Sequence, residues 1–224
     1  MPREQYQTEL DALRADVLDF GERALAQLDD GLAALATGDE RRARAAVQAD
    51  TATNERYLEL ESRCIDLFAL QQPVASDLRF VAASFKILTD IERVADLAAN
   101  LGGYAAADGG GLAPEIAVTD IGAAVRSLLV RSLEAYERGD PDACRAVAAD
   151  DDEVDALCAA ASETVARSLV EQEAAADAWE LERLLDDVSR LLLTVRDLER
   201  VADHAVNIAA RTLYMTESDA ELLY

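Results

Sequence analysis

A chain of 224 residues can bury a sizeable core in one or two domains, and its formal charge of −24 limits what it can touch. So acidic a surface repels phosphate backbones and anionic headgroups, which excludes nucleic acid and the membrane surface as direct partners. Ten glycines and four prolines are too few to punctuate many short strands, whereas alanine and leucine favour helix.

Lys86 is the only lysine, so almost all positive charge is arginine. Acidity with so little lysine is the composition expected of a halophilic protein, whose cytosol screens the self-repulsion. Cys64, Cys144 and Cys158 are odd in number and form no CxxC, which fits a reduced cytoplasm better than a disulfide framework. The opening MPREQYQTEL has no apolar core of a signal peptide, and no run of about 18 uncharged apolar residues suggests a membrane span. A cytoplasmic protein is expected.

In chain order, Leu13, Val17, Phe20, Leu25, Leu28, Leu32 and Leu35 recur at helical spacing, and Gly38 ends that stretch. Asp39 caps a second helix reaching about Leu70; Pro73 marks the next break, and a third helix runs to about Leu101. A Gly/Ala-rich linker, 104–113, follows. The order then repeats. A fourth helix runs from about Pro114 to Arg138, a fifth from Asp140-Pro141 to about Glu173, and a sixth from about Ala178 to Thr212. The expected fold is all-α, with two tandem three-helix bundles at 1–103 and 114–224 related by an internal pseudo-twofold repeat.

The repeat is visible residue by residue. DIERVADLAAN at 90–100 returns as DLERVADHAVN at 197–207, and Gly38-Asp39 returns as Gly139-Asp140. The later pair is offset by 107 and the earlier by 101, so the second copy carries a six-residue insertion, expected near 171–179.

Within the repeat, Glu92 and Asp96 are four apart, one helical turn above each other on one face, as are Glu199 and Asp203. Asn100 and Asn207 continue these ladders. On the preceding helices, Asp50/Asn54 and Asp151/Asp155 have the same spacing. If the paired helices lie antiparallel, each bundle gathers one cluster of oxygen donors. Such clusters suit hard cations such as magnesium, manganese or iron, and can take zinc. The alternative is a non-catalytic helical interaction module whose acids are only a halophilic surface.

With LQQPVASDLR at 70–79, these duplicated ladders resemble the PhoU family of phosphate-uptake regulators, over roughly Leu10 to Thr212. The resemblance implies metal clusters held by Asp50, Asn54, Glu92 and Asp96 in the first repeat and by Asp151, Asp155, Glu199 and Asp203 in the second. It implies a homodimeric negative regulator acting with components of a phosphate-specific ABC transporter and with a signalling protein. Asn54 stands where an acid would be the stronger ligand. Leu97 stands where the second copy has His204, the only histidine, which reads as a packing residue before a ligand. No Gly-rich phosphate loop or nucleophile constellation is present, and one histidine cannot furnish the paired Glu-x-x-His of a di-iron oxidase, so no enzyme is expected.

Overall fold

The structure, a computed structural model, describes residues 3–70, 75–108, 118–173 and 178–223, with no side chains described at 70 and 171–180. These residues form six helices: α1 (Arg3–Thr37), α2 (Glu40–Leu70), α3 (Ala75–Asp108), α4 (Val118–Arg138), α5 (Pro141–Glu173) and α6 (Ala178–Glu217). The described residues contain no strand, as the composition predicts.

The turns that open the two bundles are built alike. Gly38 and Gly139 sit at φ of 68° and 61°, the left-handed region that closes a helix without a Cβ clash. The next residue caps the following helix. Asp39 Oδ1 accepts from the amides of Arg41 and Arg42, and Asp140 Oδ1 from those of Asp142 and Ala143. Pro141 takes the first helical position, where its missing N–H costs nothing.

Of three boundaries read from the sequence, one differs from expectation. α3 continues past Gly102-Gly103 to Asp108, so the segment read as a linker begins as helix; 109–117 lie outside the described residues. The break at Pro73 falls within 71–74, also outside them. The insertion in the second copy lengthens the α5–α6 hairpin. α5 has 33 residues to the 31 of α2, and α6 begins four residues before Glu182, the counterpart of Ala75.

α1, α2 and α3 pack on one another, as do α4, α5 and α6; α3 also packs on α6, and α1 on α4. One continuous apolar core therefore spans both repeats. The crossing of α1 and α4 is reciprocal. A Cβ on Gly21 would come within 2.6 Å of Leu133, and one on Gly122 within 2.7 Å of Leu32. At the offset of 101 the two glycines correspond, and so do the two leucines. Each helix thus lacks a side chain where the other inserts one.

Candidate metal-binding sites

The crossing of α3 and α6 fixes both ladders. Asp90 and Asp197, the first residues of the two repeated motifs, are buried between the repeats, with Asp197 fully enclosed. A buried carboxylate needs donors, and each takes two of them from the other repeat. Asn207 Nδ2 donates to Asp90 at 3.3 Å, and His204 Nδ1 lies 2.9 Å from the same oxygen. The carboxylate can only accept, so the imidazole donates. Asn100 Nδ2 and the Tyr104 hydroxyl donate to Asp197 at 3.3 and 2.9 Å. His204 is therefore a polar donor across the seam, where the sequence suggested a packing residue.

The two asparagines do not continue the acid ladders. Each i, i+4 step turns the residue by about 40° around the helix, so the third rung has rotated toward the neighbouring repeat. The aspartates' role at this seam left no trace in the acid spacing. Their signal was their identity in both motif copies.

On the outer flanks the paired helices bring the eight predicted residues into two groups. In the first repeat Asp50, on α2, meets Glu92 and Asp96, on α3. The Asp50 carboxyl is raised above the ordinary aspartate range by burial, then by the charge of Asp96 and a hydrogen bond with it. Glu92 is raised by burial and by Asp96, with Arg93 opposing. Asn54 Nδ2 donates to Asp50 at 3.3 Å.

In the second repeat Asp151 is pushed up to about 6 by burial and then by Asp155, Asp203, Asp152 and Glu199. Glu199 and Asp203 are raised by partial desolvation and by Asp155, with His204 and Arg200 opposing at Asp203. The Cys158 thiol beneath them is pushed to about 12 by burial and the same carboxylates.

As the side chains stand, no three acidic, thiol or imidazole groups among the described residues converge closely enough to hold an ion. Two observations nevertheless fit a cation. Among the few buried polar atoms without a hydrogen-bond partner are Asp50 Oδ1 and Asp151 Oδ1, the same position in the two repeats. The donor sets are oxygen-rich and mutually repulsive, and a cation between them would relieve both conditions.

A residue missed in the sequence braces the first site from below. Buried Gln27 of α1 donates to the carbonyls of Ala46 on α2 and Ala95 on α3, and accepts from Thr53. It ties all three helices together next to Asp50 and Asp96. A glutamine on the apolar stripe of α1 was the available signal.

The PhoU domain pattern matches residues 17–105 and again 118–212. The chain belongs to the PhoU family. A phosphate-specific transport system accessory protein PhoU homolog of Methanothermobacter thermautotrophicus is 30% identical over 217 residues, covering 96% of this chain and 95% of the relative. The crystal structure of PhoU from Pseudomonas aeruginosa superposes with a TM-score of 0.87 at 27% identity, covering 96% of this chain and all of that one. That of the phosphate transport system regulatory protein PhoU from Streptococcus pneumoniae gives 0.85 at 25% identity, covering 96% and 98%. The all-α, twice-repeated PhoU fold expected from the sequence is thus established. The halophilic reading of the charge is not borne out by these relatives. No helix among the described residues is long and apolar enough to cross a membrane.

Proposed function

We propose that this chain is a non-catalytic accessory regulator of phosphate-specific transport that lowers phosphate uptake, acts in the cytoplasm as a homodimer, and carries metal ions on both repeats. The phosphate role is supported by family membership and by relatives named for the phosphate-specific transport system. The observation that carries the metal reading is the matched pair of orphaned oxygens, Asp50 Oδ1 and Asp151 Oδ1, each facing further carboxylates. Asp50, Asn54, Glu92 and Asp96 would hold one site, and Asp151, Asp155, Glu199 and Asp203 the other. Iron, zinc, manganese and magnesium all fit oxygen-rich donors of this kind. A bound cation would supply positive charge on a surface that otherwise repels anions, so any direct phosphate contact would run through it. Components of the transporter and a signalling protein are the expected partners.

The test has two arms. In a host whose own PhoU homologue is deleted, expression of this chain should lower phosphate uptake; unchanged uptake would refute the regulatory role. Elemental mass spectrometry of the purified protein should find bound metal, largely lost from the second repeat in Glu199→Ala/Asp203→Ala. No retained metal, even after reloading with iron, zinc or manganese, would reduce the ladders to packing and surface charge.

A further inference from the structure

The two sites differ in where the neighbouring arginine goes. Arg93 folds over the first site, with Nη1 2.9 Å from Asp96 and Nε 3.4 Å from Glu92. Arg200 occupies the matching position of the second repeat but turns the other way, toward Asp197, at 3.9 Å. Among the described residues no salt bridge reaches Asp151, Asp155, Glu199 or Asp203.

The cause lies at the seam between the repeats. Asp90 receives the His204 ring from across the seam. The reciprocal position is Leu97, which has nothing to donate, so fully enclosed Asp197 draws cations from its own helix. Arg196, standing where the first repeat has Thr89, reaches it at 3.0 Å, and Arg200 follows. The second site is left with four carboxylates and no arginine in ion-pair contact, Arg200 acting on Asp203 only from a distance. The first has three carboxylates, an amide already bonded to Asp50, and a guanidinium in place.

We propose that the two sites are unequal: the second-repeat site takes cations first, and Arg93 is a resident counter-cation that must swing away before the first-repeat site fills. This rests on the metal-binding reading above. A guanidinium competes electrostatically with an incoming ion for the same two oxygens, and Asn54 contributes no charge to set against it. Arg93 is half exposed, so its displacement into water is feasible.

The full-length protein, stripped with a chelator, would be dialysed against rising manganese, and bound metal counted by elemental mass spectrometry. Helix content by circular dichroism would be checked for every variant. Two classes of binding should appear, separated by about tenfold or more. Asp155→Asn, at an exposed position, should abolish the tight class and leave the weak one. Arg93→Ala should strengthen the weak class by about tenfold and leave the tight one unmoved. Two equal classes, or a weak class indifferent to Arg93→Ala, would overturn the inequality while leaving metal binding intact. Failure of the wild type to bind manganese, iron or zinc would overturn both readings.

Discussion

The two repeats share a fold and a motif but are stabilised differently inside. The first is held by polar and close-packed contacts. Gln27 and Thr53 bond across its interior. Gly31 and Gly102 let backbones approach so closely that a Cβ would meet the Ala98 carbonyl at 2.9 Å and the Ala43 carbonyl at 2.8 Å. The second repeat has Leu128, Val154, Ser132 and Ala209 at these four positions, all buried. Duplicated motifs therefore sit on non-equivalent supports, and identical surface ladders acquire different neighbours.

The largest effect should come from the seam. Asp197→Ala removes a fully enclosed carboxylate that two side chains of the first repeat and Arg196 address, and should cost about 3 kcal/mol or more in denaturant unfolding. Asp90→Ala, at the slightly more open counterpart, should cost less. Equal costs would mean that the seam is symmetric in energy despite the exchange of His204 against Leu97.

Next come the close approaches. Gly102→Ala drives a methyl into a backbone carbonyl that cannot easily move, and should destabilise by about 1–3 kcal/mol despite the better helix propensity of alanine. The reverse change in the other repeat, Ala209→Gly, should cost only about 1 kcal/mol. A stabilising Gly102→Ala would show that α2 and α3 are free to separate.

The pH dependence should separate the acid clusters. Because the Asp151 carboxyl is raised in the folded state, it favours folding below its ordinary value of 3.8, and that contribution is lost as pH rises through about 6. Metal-free protein should therefore gain melting temperature as pH falls from 7 toward 5. Asp151→Asn should flatten this rise, and saturating manganese should reduce it. A profile unaffected by the substitution would show that the second cluster is not electrostatically strained.

The smallest effect is expected where both partners of a buried polar pair are replaced together. Gln27→Leu/Thr53→Val gives the first repeat the interior of the second, and should change stability by no more than about 1 kcal/mol. Gln27→Leu alone strips Thr53 of one partner but leaves its bond to the Ala49 carbonyl, so it should lie close to the double variant.

The acid ladders were legible because residues four apart on a helix share a face whatever surrounds it. The capped Gly-Asp turns were legible for a similar reason: left-handed glycine and Asx capping are decided within a few residues. Asp90, Asp197, Asn100 and Asn207 could be seen to repeat, but their spacing did not reveal that they cross to the other repeat. Gln27 was not read at all, because its partners on α2 and α3 are distant in sequence and meet it only when three helices close around it.

By itself the sequence determined six helices, their pairing into two repeats, and which carboxylates share a helical face, because periodicity and capping are local. Only the tertiary structure decided what each charge faces. The exchange of His204 against Leu97 at the seam draws Arg200 toward Asp197 while Arg93 stays on Glu92 and Asp96. A buried carboxylate takes its donors from whichever element lies against it, and only the packing of α3 on α6 makes that choice.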